Sequence, residues 1–420
     1  MKSAVVGPRR ICLFTDSLEP SGVGVHLALL IEGLAAHDCD LHLVCPPTPA
    51  AALLIARAQA VGAVYHPLTV RAAGDLADFA QLIALLRRER IDLFHNQIGA
   101  TWEGHFGTLA ARQAGVRAVI ATEHLPYVLT VPQETAQKAM INRLLDGMIT
   151  VSQEAQRSHA ASGTTRNGLV CTVPNGVAPA PPVSRAAARA TLGIHESTPL
   201  LGTVARLYEQ KGHRYLVAAL LTVLAHHPGA GLVLIGEGPL RWELEGLARS
   251  LGVGARVWFL GARDDVRALI PAFDVAVLPS LFEGLPLFML EAMAAGVPTV
   301  GTRVCGTAET IHDGETGLLV PAHDSAALGL AVVRLLDDPT LAARLGAAGL
   351  ARFHAEFHAA RMVERTVAVY GAVWARTERA TAAAPAHNRR DHRLVSPARA
   401  ATLAVSLVET LALLSDYLAG

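Results

Sequence analysis

The sequence has few cysteines, no excess of charge of either sign and no long apolar run, and each of these lacks narrows what the chain is. Its 420 residues include five cysteines, Cys12, Cys39, Cys45, Cys171 and Cys305, none of them in a C-x-x-C pair. An odd, scattered set argues against a disulfide framework or a zinc site and fits a reducing compartment. Lys plus Arg total 36 and Asp plus Glu total 36, a formal net charge of zero. Bulk charge therefore attracts neither nucleic acid nor an anionic membrane, and any anion site has to be assembled locally from cations and backbone N–H groups. No stretch approaches the roughly 20 apolar residues that a membrane span needs. The opening MKSAVVGPRRICLFTD has no apolar core of a signal peptide ahead of its first strand. The expectation is a cytoplasmic chain with no metal and no nucleic-acid partner.

Apolar residues are plentiful, at 51% against 17% charged, enough to fold most of the chain into two or three domains. Short apolar runs alternate with longer helical patterns, the signature of βαβ units and parallel sheets. In the first half, ICLF (11–14), LHLVC (41–45), DLFH (92–95), AVIATEH (118–124) and GMITVS (147–152) read as strands. Helical patterns lie between them, at 75–90 and near 103–114, and Ser152 is placed to cap another. The stretch 178–194, APAPPVSRAAARATLGI, is rich in Pro and Ala and reads as a linker. The pattern then restarts with LLGTVARL (200–207), GLVLIGEGP (231–239), RVWFLG (256–261), DVAVLPS (274–280) and VPTVGT (297–302). Before the last of these, PLFMLEAMAAG (286–296) reads as a helix with Pro286 at its first position and Gly296 at its stop. The expected domains are 1–178, joined by a late helix at 357–376, then 195–356, and a separate stretch 377–420. Two α/β halves of this kind are expected to face each other across a cleft at the carboxyl ends of their strands. Within the last stretch, 396–420 reads as one amphipathic helix striped by Leu403, Leu407, Leu411, Leu414 and Leu418. That stripe suits packing on the protein itself, a dimer contact or a peripheral membrane contact.

Chemistry concentrates in a few places. In SLFEGLPLFMLEAMAAGVPTVGT (280–302), seven residues stand between Glu283 and Glu291, one in a loop and one in the helix that follows. A carboxylate suits a cis-diol, which offers two O–H donors, while the free N–H groups around Leu287 and Phe288 suit an anion. A sugar joined to a phosphate needs both. The plainer reading makes Glu283 a loop residue near a cap and Glu291 a partly exposed helix residue. In GTVARLYEQKGH (202–213), Arg206 and Lys211 follow a strand and can hold a diphosphate, one as a fork and one as a point charge; the plainer reading is a solvated loop. Gly236 and Gly238 form a turn after a strand, and Gly22 and Gly24 a turn after the first strand; either admits a close ligand or only a tight turn. Thr122, Glu123 and His124 end a strand, where His124 is able to meet substrate hydroxyls or serve the fold alone.

In order and spacing, these pieces resemble the retaining GT-B glycosyltransferases of family 4 over about residues 11–376. The match runs through Gly202, Arg206, Lys211-Gly212, Gly236 to Gly238, Ser280, Glu283-Gly284, Glu291, Ala292-Met293-Ala294, Gly296 and Pro298, with Asn175-Gly176-Val177 at the interdomain segment and His124 at the N-domain histidine. The resemblance implies two Rossmann-like doubly wound domains, a nucleotide diphosphate-sugar donor such as a UDP- or GDP-sugar, and a glycan, lipid or small-molecule acceptor. It implies no cofactor beyond that substrate. Arg206 and Lys211 would hold the diphosphate, Glu291 the ribose and Glu283 a sugar hydroxyl near Leu287 and Phe288. Gly22 would lie against the donor and His124 near the transferred sugar. The sequence departs from the family pattern at Ser21-Gly22 for two glycines, at Cys305-Gly306-Thr307-Ala308-Glu309 for Gly-Gly-x-x-Glu, and at His95-Asn96-Gln97 for the frequent His-x-His. The same scaffold hosts nucleotide-sugar epimerases, and a catalytically silent binding protein would keep the same architecture.

Overall fold

A computed structural model describes residues 7–18, 22–70, 76–99, 103–127, 131–165 and 170–383. The chain forms two compact units. The first takes the residues up to Val151, then Gln156–Val173, and then the chain from Val363; the second takes Ser152–Ala155 and Pro174–Met362.

In the first unit seven strands, β1 Arg10–Phe14, β2 Asp40–Cys45, β3 Val64–Pro67, β4 Leu93–Ile98, β5 Ala118–Glu123, β6 Gly147–Thr150 and β7 Val170–Thr172, form a sheet in the order β3-β2-β1-β4-β5-β6-β7. Every neighbouring pair is parallel. In the second, β8 Leu200–Val204, β9 Gly231–Ile235, β10 Val257–Phe259, β11 Val275–Leu278, β12 Thr299–Thr302 and β13 Leu318–Val320 pair in the order β10-β9-β8-β11-β12-β13, again all parallel. Such sheets are covered on both faces, which is why their strands read as continuous apolar runs. In β9, Leu232 and Leu234 pack with Leu201, Val277 and Leu328 in one core, while Val233 and Ile235 face Leu200, Leu278 and Phe288 in another. The chain reverses direction of growth between β1 and β4 and between β8 and β11. At such switch points the loops at the strand ends splay apart and leave room for a ligand.

The stretch 178–194 is not an extended linker. Arg185–Leu192 is a helix, capped by Ser184 Oγ accepting from the Ala187 N–H and stopped by Gly193 at φ 67°. Arg189 is fully buried, and its guanidinium donates to the carbonyls of Ala272, His195, Glu196 and Thr198 and to Asp274 Oδ2 at 2.7–3.0 Å. Pairing of every guanidinium donor that these bonds use makes burial of the charge tolerable. This helix therefore folds as part of the second unit, and the change of unit comes earlier, at Pro174. Val177 confirms that placement locally: its N–H bonds the Phe357 carbonyl and its own carbonyl accepts from Ala359.

Helix Ala359–Ala383 begins in the second unit and carries the chain into the first. There Tyr370, Val373 and Trp374 are buried, and a Cβ on Gly33 would stand 2.3 Å from Val363 Cγ2, so only glycine admits that side chain. The Arg117 guanidinium lies 4.3 Å from the Trp374 ring centre. No helix among the described residues is long and apolar enough to cross a membrane. The amphipathic pattern at 396–420 lies outside the described residues.

Candidate active site

In the second unit the cations and carboxylates singled out from the sequence lie on the segments that follow β8 and β11, and two of them, Lys211 and Glu283, are in contact. Arg206 follows β8 by two residues, and its guanidinium stacks over the Tyr208 ring at 4.9 Å. Lys211 ends a short 3-10 turn, Glu209–Lys211, and Gly212 at φ 63° hands the chain to helix His213–His226. A Cβ on Gly212 would come 2.1 Å from the Pro279 carbonyl oxygen, so a side chain here would push the two loops apart. They are bound together by the Leu281 N–H donating to Gln210 O at 2.7 Å and Gln210 Nε2 to Phe282 O at 3.0 Å.

That contact brings Lys211 onto Glu283. Lys211 Nζ donates to Glu283 Oε1 at 2.6 Å, and Ser280 Oγ donates to the same oxygen at 2.6 Å. Glu283 and Ser280 are buried, and Ser280 is itself held by Thr302 Oγ1 on its carbonyl. Neither of these bonds uses Oε2. An ammonium has three donors, so Lys211 keeps two for another anion. The pair that the sequence assigns to two parts of one ligand is thus an ion pair within the protein.

Gly236 and Gly238 serve a neighbour in the protein. With φ at 138°, Gly236 would set a Cβ 2.1 Å from the Ala205 carbonyl oxygen, and Gly238 would set one 2.5 Å from Leu207 O. The Ala205 N–H donates to Ile235 O and the Leu207 N–H to Glu237 O at 2.8 Å, zipping the two loops together around Arg206. Their close approach is to Ala205 and Leu207, and it fixes the backbone from which Arg206 projects. Gly236→Ala is therefore expected to destabilise the protein by about 3 kcal/mol through strain and overlap. Gly24→Ala meets no atom within 4 Å and is expected to leave stability unchanged or slightly raised. Denaturant midpoints of the two variants separate the cases, and a wild-type midpoint for Gly236→Ala defeats the argument.

Glu291 lies in helix Leu287–Ala294, where Pro286 is the cap residue, one position ahead of the first helical residue. Leu287 and Phe288 open this helix, so their N–H groups precede any carbonyl of the helix that could accept them. Glu291 is partly exposed as a residue, but its carboxyl end is enclosed by protein. Burial pushes its pKa up to about 7, against the lowering pull of the Arg267 guanidinium. Arg267 also donates to the carbonyls of Ala178 and Pro179.

The first unit holds the remaining candidates. Gly22 is exposed and begins helix Gly22–Leu34. His124 directly follows β5, its N–H bonded to Ile98 O at 2.9 Å. Strand alternation separates it from Glu123. Glu123 faces helix Pro132–Asn142, where its carboxylate meets Lys138 Nζ at 2.5 Å with both side chains buried. His124 shares the other face with Thr122, His95 and Gln97, and its ring meets His26 edge-on with centroids 4.8 Å apart. Burial first, then the positive charges of His26 and His95 when they are protonated, hold His124 well below the ordinary histidine range, so it is neutral at pH 7.

Residues 20–180 match the family described as Glycosyltransferase Family 4, and residues 198–338 match Glycosyl transferases group 1. A GDP-mannose-dependent monoacylated alpha-(1-6)-phosphatidylinositol monomannoside mannosyltransferase of Corynebacterium glutamicum is 33% identical over 310 residues, covering 68% of this chain and 78% of its own. A GDP-mannose-dependent alpha-(1-6)-phosphatidylinositol monomannoside mannosyltransferase of Mycobacterium tuberculosis is 32% identical over 367 residues, covering 81% and 92%. The chain belongs to the family 4 glycosyltransferases. Among solved structures, Anabaena HepE in complex with UDP and glucose superposes with a TM-score of 0.75 at 20% identity, over 87% of this chain and 100% of that one. That likeness establishes the GT-B fold.

As a glycosyltransferase, the chain shows contacts that sequence reasoning did not reach. Gly306 is one: its Cβ would fall 1.7 Å from Gly284 O, so the Cys305-Gly306 variation of the family motif keeps the glycine that backs the Glu283 loop. Arg267 beside Glu291 carries no motif signal. The buried polar set His95, Gln97, Thr122 and Tyr370 had a signal, because polar residues recur on one face of strands that are otherwise apolar.

Proposed function

We propose that this glycosyltransferase moves a hexosyl group from a nucleoside diphosphate-sugar to a lipid or glycan acceptor, with retention of configuration and without a metal. The observation that carries the proposal is the Arg206, Lys211, Ser280 and Glu283 set at the β8/β11 switch point, with two Lys211 donors and one Glu283 oxygen left over by the protein's own bonds. Arg206, Lys211 and the first N–H groups of helix Leu287–Ala294 hold the diphosphate; Glu283 Oε2 accepts from a sugar hydroxyl; Glu291 accepts from the ribose diol. Two cations on the diphosphate take over the charge-neutralising part a divalent ion plays elsewhere. The anomeric C–O bond breaks with its electron pair passing to the diphosphate, whose growing charge Arg206 and Lys211 stabilise more strongly in the transition state than before it. The acceptor oxygen bonds to the same face of the anomeric carbon, and its proton passes to the departing phosphate oxygen. The family resemblance gives His124 the part of a hydrogen-bond partner to the transferred sugar.

Both relatives described above are named for GDP-mannose, which makes it the first donor to test, ahead of UDP-sugars. Incubation with each donor and a phosphatidylinositol mannoside or an oligosaccharide, followed by NMR of the product's anomeric proton, decides the reading. The expected result is an acceptor-dependent α-linked product from an α-linked donor. A β-linked product overturns retention. Turnover of the donor to an isomeric nucleotide-sugar with no acceptor present makes the protein an epimerase instead.

A further inference from the structure

In the first unit a chain of buried polar side chains ends on His124. Its members lie on one face of the sheet because His95 and Gln97 alternate on β4 while Thr122 precedes His124 by two residues on β5, and Gln97 pairs with Thr122 in register. Tyr370, buried on helix Ala359–Ala383, meets His95 Nδ1 with its hydroxyl at 2.6 Å. The other ring nitrogen of His95, Nε2, is approached by Thr122 Oγ1 at 2.8 Å and by the Gln97 amide nitrogen at 3.2 Å. The Gln97 amide oxygen lies 2.9 Å from His124 Nε2. His95 and Gln97 are fully buried.

The chemistry of these groups sets the direction of each bond. An amide NH₂ only donates, so His95 Nε2 is the acceptor, for Gln97 and for the Thr122 hydroxyl together. The His95 proton therefore sits on Nδ1 and is donated to the Tyr370 oxygen. An amide oxygen only accepts, so the proton of His124 sits on Nε2. His124 Nδ1 has no hydrogen-bond partner among the described residues, and burial keeps the ring neutral. Burial also pushes His95 down to about 3. With both rings neutral, the tautomer decides whether the open nitrogen gives or takes a hydrogen bond.

We propose that Gln97 is a positioning residue for glycosyl transfer: its amide, anchored on His95, fixes His124 as the Nε2–H tautomer and presents the Nδ1 lone pair to a hydroxyl of the reacting sugar. The proposal rests on the part at the transferred sugar that the family resemblance gives His124. It assigns the departure His95-Asn96-Gln97 a role, because a neutral histidine at 97 also offers one donor and one acceptor.

Gln97→Leu keeps the volume and removes both bonds, so it is expected to lower kcat about 10-fold, with the donor KM within about threefold of wild type. Gln97→His is expected to recover most of that loss. A thermal melt checks that each variant folds, and long-range ¹H–¹⁵N correlation of the histidine rings reports the tautomer directly. Wild-type protein should show His124 protonated at Nε2, and Gln97→Leu a mixture of both forms. In a His124→Ala background, Gln97→Leu should add no further loss of kcat. A full additional loss in that background, or an Nδ1–H signal for His124 in wild-type protein, overturns the proposal. If His124→Ala alone leaves kcat unchanged while the Nε2–H signal is present, it is the placement of His124 at the sugar that fails, and the positioning role fails with it.

Discussion

Lys211→Ala lowers kcat/KM by about 10²–10³-fold, the cost of removing one preorganised charge from a growing anion. The same change leaves Glu283 buried with only Ser280 as partner, and stripping one member from a buried ion pair destabilises a protein by about 3 kcal/mol. Activity and stability therefore fall together in the single variant, and the two losses have to be separated. The double variant Lys211→Met with Glu283→Gln separates them. The amide introduced by Glu283→Gln keeps an acceptor for Ser280 and needs no counter-charge, so the denaturant midpoint returns most of the way to wild type. Turnover stays at or below the level of the single variant, because the cation that meets the diphosphate is still missing and the amide no longer offers the sugar hydroxyl a second acceptor oxygen. Steady-state kinetics and urea titrations on the three proteins make the comparison. Recovery of turnover in step with stability would mean that Lys211 serves the fold alone.

The second large effect is a dependence of nucleotide affinity on pH, set by Glu291. Until a nucleotide binds, its carboxyl holds a proton up to about pH 7, against an ordinary value of 4.5. Since the folded-state pKa is raised, the protonated form is the one burial favours. Glu291 accordingly takes stability away as pH rises from 4.5 through 7, the reverse of a salt-bridged carboxylate. A ribose diol donates two hydrogen bonds and favours the ionised form, so binding expels the proton below about pH 7. Affinity for UDP or GDP should then rise with pH and level off above about 7, with a contribution from Glu291 on the order of 10- to 100-fold between about pH 5 and 8. The phosphates titrate in the same range. Glu291→Gln keeps that part and loses the rest, so the ratio of the two proteins' affinities isolates Glu291. Calorimetry in two buffers of different ionisation enthalpy measures the released proton as well. Parallel curves for the two proteins would remove Glu291 from the ribose.

The fold was legible because its physics is local. Runs such as GLVLI at 231–235 are apolar on both faces and short, and a strand buried between two helical layers has no other appearance. The charged residues of the site were legible as a spaced set and illegible as contacts. Lys211 and Glu283 are 72 positions apart, and what joins them is a hydrogen-bonded crossing of the 209–212 and 279–282 loops that no pattern of residue types announces. Gly236 shows the converse. Its type was readable, but a glycine that admits a ligand and one that admits the Ala205 carbonyl look alike until the neighbouring loop is in place. The segment 178–194 misled for a simpler reason. Alanine-rich composition is as good for a helix as for a spacer, and the decisive residue, Arg189, reads as a surface charge until its carbonyl partners are known.

The loops at the β8/β11 switch point are zipped to each other mostly by their own backbones, at 205–207 with 235–237 and at 210 with 281, with the Gln210 amide adding one bond to Phe282 O. No ligand is needed to shape them, so little ordering entropy is spent when a nucleotide arrives. Apart from Gln210 and the Lys211–Glu283 pair, it also leaves the side chains in between with little duty to hold the loops. A lineage built on such a scaffold is able to exchange the residues that read base and sugar one at a time, trying new donors while the cradle for the pyrophosphate survives each trial.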